Sequence, residues 1–190
     1  MNTPAHLIFG KAAFAQEQVR GTTAAALSGA LIPDLSLYLL VGWHFLILNT
    51  PADVVFNDLY FSSSWQAVFR IDNSFLLWGI GISFAIWAKR PIWIALCGAA
   101  LLHLALDFPL HHNDGRAHFW PMSDWIFQSP VSYWNRNHHA GIVGPIEVSL
   151  VLVCSVLLYR RFKSWIKRAL VGLLLMAELA ISNLGHILFG

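Results

Sequence analysis

An all-α, polytopic membrane helix bundle of about five spans with a short N-terminal helix is the fold class predicted here, and three features predict it. The chain has 190 residues, 57% of them hydrophobic, with a mean hydropathy of +0.58. That is more apolar side chain than a soluble single domain of this length buries in its core. The apolar residues gather in long stretches, most of them close to the ~20 residues that cross ~30 Å of hydrocarbon. Nine Trp and thirteen Phe, many near the ends of those stretches, fit the aromatic belts that sit at headgroup level. We read residues 1–190 as one integral membrane domain.

The expected spans are Thr22–Leu48, Asn73–Ala88, Ile92–Phe108, Ile142–Tyr159 and Arg168–Phe189, of which Asn73–Ala88 is short and leans on its flanks. Pro4–Gln16 is apolar but too short to span, so a half-inserted or packed helix is its natural form. The N-terminus lacks the basic start and small-residue cleavage site of a secretory signal peptide and is expected to be retained. Cys97 and Cys154 lie in apolar runs without CxxC spacing, which suggests neither a disulfide framework nor a thiolate metal site. The net charge of +2 comes from one asymmetric cluster, and nucleic acid is excluded as a partner.

Lys and Arg in short loops set the orientation. Nine of the twelve basic residues (Lys11, Arg20, Lys89, Arg90, Arg160, Arg161, Lys163, Lys167 and Arg168) fall on one side under strict alternation. That side is taken as cytoplasmic, together with the N-terminus. The loops at about Asn49–Asp72 and Pro109–Gly141 then face outward, and the second is long and rich in His, Trp and Pro. Long ordered loops tend to be functional.

Ionisable residues inside a span cost several kcal/mol unless paired, solvated or metal-bound, which makes each a candidate for function. Here they are Asp34, His103, Asp107, Glu147 and Glu178. If the N-terminal segment and first span form a hairpin turning near Arg20, His6 and Asp34 each lie fourteen residues from the turn and come side by side. His103 and Asp107 lie thirteen and seventeen residues beyond Arg90, Glu147 thirteen before Arg160, and Glu178 ten after Arg168. All reach one layer on the order of 15–25 Å from the cytoplasmic face.

His103 and Asp107 are four apart and share a helix face, so both can touch one ion. Pro33, before Asp34, frees a backbone carbonyl and can kink its helix. The loop PLHHNDGRAHFWP brings His111, His112, Asp114 and His118 near the end of the Asp107 helix. Imidazoles and carboxylates without thiolate suit zinc, manganese or iron in an open, hydrolytic site. The candidate metal ligands are His6, Asp34, His103, Asp107, His111 and His118. Plainer roles stand beside these: Asp34 as the cap of a broken helix, Glu178 with Asn183 and His186 as a polar seam, and His44, His112 and His139 as interfacial side chains.

The stretch HLALDFPLHHNDGRAHFWP, with His103, Asp107, Gly115, Trp120 and Pro121, resembles the signature of the bacterial inner-membrane, membrane-bound metal-dependent hydrolases. An early His followed by a small-residue helix (His6, Gly10) and a Pro-Asp at a helix kink (Pro33, Asp34) agree with it. The resemblance runs from the N-terminus to about Pro121. It implies a chemistry class likened to zinc-dependent phospholipase C, and not a substrate. Where that family carries an HRGxTHS-like element, this chain has FRIDNSF, with Arg70, Asn73 and Ser74 but no His.

The expected function is a divalent-metal hydrolase, with zinc favoured, acting on a lipid-linked or membrane-proximal (phospho)ester at the outer leaflet of the inner membrane. Glu147 or Asp114 would serve as general base, and Arg70 or Arg116 would hold an anionic headgroup with a guanidinium fork. The alternatives are an ion, proton or metal conduit, which needs a similar polar layer, and a non-catalytic assembly factor. The apolar cytoplasmic halves IWIALCGAAL and RALVGLLLMA favour a one-sided cup over a conduit.

Overall fold

Pro4 in the first turn and a face of small residues make Thr3–Phe14 a twelve-residue helix, α1. It becomes the centre of the bundle, because it packs against α2 (Thr22–Leu46), α5 (Pro91–Asp107), α6 (Ala140–Arg161) and α7 (Trp165–Leu188). A helix surrounded in this way is buried on several sides, and Ala5, His6, Ile8 and Lys11 are all within 1% of full burial. The expected packing of the N-terminal segment on the first span is therefore observed, and the segment touches three further helices. The computed structural model describes the backbone of residues 1–188 and the side chains of residues 1–182.

Small residues set the spacing of α1, α2 and α5. Ala5, Ala26, Ala30, Ala95 and Ala99 form one side of the core, and Val151, Leu158, Phe162 and Val171 from the α6–α7 side fill the other. At Gly29 an added Cβ would fall onto the backbone carbonyl of Leu96, and at Gly10 it would come within 2.8 Å of the Ala30 methyl. Backbones this close are the mark of small-residue helix interfaces. The closeness of α2 to α5 is what lets their polar groups meet.

The segment expected as the first outward loop is more ordered than that. Val54–Leu59 is a π-helical turn, and Ser63–Asp72 is a helix, α3, whose start is capped by the Ser62 hydroxyl accepting from Trp65 N. Val55, Tyr60, Trp65 and Phe69 pack on the C-terminal half of α2 in a satellite core. Ser74 caps α4 (Phe75–Trp87) in the same manner. The long His-rich segment after Asp107 is irregular apart from the short turns Phe108–Leu110 and Arg136–His138. Backbone bonds Ser129 N to His111 O and Tyr133 N to Leu110 O tie its two arms together.

Among the described residues three helical stretches are long and apolar enough to cross a membrane: Thr22–Leu46, Pro91–Leu110 and Ala140–Arg161. The expectation of about five was higher. α4 has thirteen residues, about 20 Å of helix, which falls short of the hydrocarbon core. The final turns of α7 lie beyond the described side chains. Leu46, Ile80, Trp87 and Leu173 are each more than two-thirds exposed on the outside of the bundle, an apolar exterior that suits lipid better than water.

The basic residues gather at one end. Arg161 donates to the α1 carbonyls of Ala12 (3.0 Å) and Ala15 (2.6 Å), Lys11 to Lys167 O, and Lys167 pairs with Glu17. These bonds satisfy carbonyls that the end of α1 leaves without partners. The His-rich segment lies at the other end, beyond Asp107, and Met1 sits at the level of Asp107 rather than with the basic loops.

Candidate metal centre

The centre is assembled from α1, α2 and α5 at the level where the His-rich segment begins. α5 ends at Asp107, and the i, i+4 spacing places His103 one turn below on the same face, as the sequence implies. α1 runs antiparallel to α2 and delivers His6, whose ring stacks on His103 with centroids 3.6 Å apart and planes 14° apart. His6 Nε2 lies 2.9 Å from Asp107 Oδ1, and His103 Nε2 lies 3.3 Å from Asp107 Oδ2 and 3.7 Å from Asp34 Oδ1. His6, His103 and Asp107 form a buried group able to hold a metal ion, with one ligand atom from each lying within 4.8 Å of the others.

Two features of the group test that fit. Ligand atoms about 2.0–2.1 Å from a tetrahedral ion lie about 3.3 Å from one another, and the separations from 2.9 to 3.7 Å bracket that value. Second, His103 Nδ1 donates to the Ala30 carbonyl at 2.7 Å. A carbonyl only accepts, so the proton of neutral His103 is on Nδ1 and its Nε2 presents a lone pair. That Nε2 is buried without a hydrogen-bond partner and faces two carboxylates. Three acceptors aimed at one another make an arrangement that a cation stabilises, and a backbone carbonyl behind the ring is the usual support of a ligating histidine. The Met1 ammonium donates to Asp107 Oδ1 at 2.5 Å, so positive charge already sits against this carboxylate.

Pro33 accounts for much of the local backbone. With no amide of its own it loosens α2 around Asp34, and its carbonyl accepts from Asn73 Nδ2 and Arg116 Nη1, each at 3.0 Å. Asp34 is oriented by Thr3 Oγ1, which donates to Oδ2 at 2.8 Å and also contacts the Tyr38 hydroxyl. Arg116 is buried over the Phe69 ring, bonded to Asn73 Oδ1 at 2.9 Å, with Nη1 3.9 Å from Asp34. The FRIDNSF element is therefore a junction. Asn73 joins α2, α3 and Arg116, its carbonyl accepts from His118 Nδ1 at 2.9 Å, and Ser74 donates to Trp120 O.

His111 stands between two carboxylates, with Nε2 3.3 Å from Asp107 and Nδ1 2.9 Å from Asp114. Burial pulls its pKa down, but Asp107 and Asp114 outweigh that and leave it raised. Burial pushes Asp114 up, and His111 outweighs it and leaves that carboxyl lowered. Asp34, Asp107, His111, Asp114 and Arg116 line a cavity of about 660 Å³, whose apolar wall includes Tyr38, Phe56, Phe61, Tyr133 and Ile181.

Other expected site residues lie elsewhere. The His118 ring packs against Phe75 and Phe108 and does not join the buried group. Arg70 is partly exposed, paired with Asp124 at 3.4 Å and set over Trp120, away from the cavity lining. Glu147 is buried and accepts from Asn2 N at 2.7 Å, while Asn2 Nδ2 donates to Glu178 at 2.9 Å. Glu178 also takes the Ser182 hydroxyl at 3.0 Å, so its partners among the described residues are Asn2 and Ser182. The side chains of Asn183 and His186 lie outside the described residues. Sequence reasoning passed over Thr3, Asn2 and the inward role of Asn73, which have no motif and act only through the fold. No family model, curated protein or solved structure matches this chain.

Proposed function

We propose that this chain is a membrane-embedded, divalent-metal-dependent hydrolase acting on a lipid-linked or membrane-proximal (phospho)ester. The observation that carries the reading is the buried His6, His103 and Asp107 group beside a cavity whose floor is charged and whose wall is apolar. His6, His103, Asp107 and Asp34 would hold the metal, with zinc favoured by two imidazoles and no thiolate. When bound, the ion supplies Lewis acidity that polarises the scissile group and acidifies water.

The remaining roles fall to the chain's own side chains. His111, held between Asp107 and Asp114, is placed to pass a proton to a leaving oxygen, and Asp114 orients it. Arg116 offers positive charge at the cavity floor, and its rigid bonds to Pro33 and Asn73 keep it there. The Tyr38, Phe56 and Phe61 wall suits the apolar part of an amphiphilic substrate. Glu147 accepts from Asn2 and is not part of the cavity lining, so Asp114 is the better placed of the two expected bases.

An ion conduit is less well supported, because below the centre the α1, α2 and α5 faces are closed by Ala26, Ala95 and Ala99. The test is hydrolysis of phosphomonoester and phosphodiester lipids by the purified protein in lipid nanodiscs with added zinc or manganese. Turnover that is lost with a chelator, restored by metal and absent in Asp107→Ala is expected. Metal-independent turnover, or none with any lipid ester, would remove the hydrolase reading.

A further inference from the structure

The cavity beside the buried centre has walls of two kinds, and their exposure shows where it opens. Asp107, Arg116 and Tyr60 line it and are at most 7% exposed, so they form its closed end. Tyr38, Phe56, Phe61 and Ile181 also line it, yet each is between 42% and 53% exposed, so the cavity meets the outside at these four. Tyr38 belongs to α2 and Ile181 to α7, while Phe56 lies in the π-helical turn and Phe61 just after it. The mouth is therefore rimmed by aromatic and aliphatic side chains from three parts of the chain.

The start of α1 stands between the two helices of that mouth. Thr3 bonds to α2 through Asp34 and Tyr38, whereas Asn2 bonds to Glu178 at 2.9 Å and Ser182 at 3.5 Å on α7. Tyr38 and Ile181 thus flank residues 2 and 3 from opposite sides. The apolar rim continues along both helices: Leu35, one turn from Tyr38, and Leu173, two turns from Ile181, are 38% and 68% exposed. α2 is itself long and apolar enough to cross a membrane. A mouth that runs into outward apolar faces of two helices opens toward hydrocarbon, while exposed Asn57 and Asn113 give the same cavity a polar edge.

We infer that the cavity takes its ligand sideways from the bilayer: a phosphoester lipid whose head passes between α2 and α7 and whose hydrocarbon chain stays in the slot between Tyr38 and Ile181. A volume of about 660 Å³ falls within the roughly 300–1,000 Å³ of small-molecule cavities. That holds a lipid head and the start of its chains, and the rest of each chain has to leave through an apolar opening. Arg116 at the closed end is the positive group that a phosphate would approach. The inference rests on the hydrolase reading for the nature of the head, and on the cavity alone for the route.

Photocrosslinking in nanodiscs tests it, with phosphatidylglycerol carrying a diazirine in its acyl chain and the protein stripped of metal so that no turnover is needed. Wild type should crosslink at Tyr60, which lines the cavity and is too buried for lipid on the bundle exterior to reach. Ile181→Trp, which narrows the mouth, should lose most of that product, and Leu173→Trp, on the same helix but two turns away, should keep it. Water-soluble dibutyryl phosphatidylglycerol should protect Tyr60 only weakly. No crosslink at Tyr60 in wild type would overturn the inference, and that arm needs no variant to fold. Equal crosslinking in a folded Ile181→Trp, or full protection by the soluble form, would overturn it too, because the cavity would then fill from its Asn57 and Asn113 edge. Crosslinks at Tyr60 without any turnover by the metal-loaded protein would count against the hydrolase reading alone and support the lateral route.

Discussion

His103 on α5 donates its Nδ1 proton to the carbonyl of Ala30 on α2 at 2.7 Å, so the backbone of one helix sets the direction of a candidate ligand on another. That bond depends on Gly29, where a Cβ would meet the Leu96 carbonyl. Gly29→Ala should push α2 and α5 apart, cost about 1–3 kcal/mol as overpacking does, and weaken metal binding as His103 loses its support. Metal affinity and thermal stability measured together check this. A variant with unchanged affinity would show that the Ala30 bond is not needed.

Arg116 is buried and its partners have few substitutes. Arg116→Gln would remove the donor to Pro33 O and Asn73 Oδ1 and take positive charge away from Asp34. A loss of roughly 3–5 kcal/mol is expected for stripping one partner from a buried charged network. Arg116→Lys should recover only part of it, since an ammonium cannot reproduce the fork. Denaturant unfolding in detergent reads the difference, and equal stability of all three proteins would contradict the network.

Acid should destabilise the protein through His118. Burial lowers this imidazole from 6.5 to about 4, against the opposing hydrogen bond that its Nδ1 donates to Asn73 O, and Arg116 adds to the lowering. Between those two pH values the unfolded chain takes up a proton that the folded chain does not, so stability falls as the pH drops through this window, by up to about 3 kcal/mol. His118→Gln should flatten the dependence of melting temperature on pH between 6.5 and 4. An unchanged slope would assign the acid sensitivity to other groups.

The polar layer was largely legible in the sequence, because depth in a helix follows from residue counts. Thirteen residues from a basic turn puts His103 and Glu147 at one level, and the His103 and Asp107 spacing fixes their common face. Counting does not give azimuth. Glu147 and Glu178 share the layer yet turn toward Asn2 instead of the imidazoles. His118 lies near the centre in sequence, but its ring is drawn into an aromatic cluster by Phe75 and Phe108. The span count was overread at Asn73–Ala88, because Asn73 and Ser74 end α3 and cap α4 rather than joining the apolar run.

Two ends of opposite character should be separable in cells. Asn113 and Asn137 are exposed in the His-rich segment, and Lys163 lies in the basic turn after α6. Single cysteines at Asn113 and Asn137 should react with an impermeant maleimide on intact cells, and one at Lys163 only after lysis. The reverse pattern would place the cavity on the cytoplasmic side.

Elemental mass spectrometry of the purified protein tests the metal centre most directly. Wild type should carry a divalent transition metal, and His103→Ala and Asp107→Ala should each lose it from the inner centre, because both supply atoms to the buried group. Glu178→Gln should keep it, because Glu178 is bonded to Asn2 and Ser182 and is not part of that group. Metal-free wild type, or metal kept in Asp107→Ala yet lost in Glu178→Gln, would contradict the centre described here.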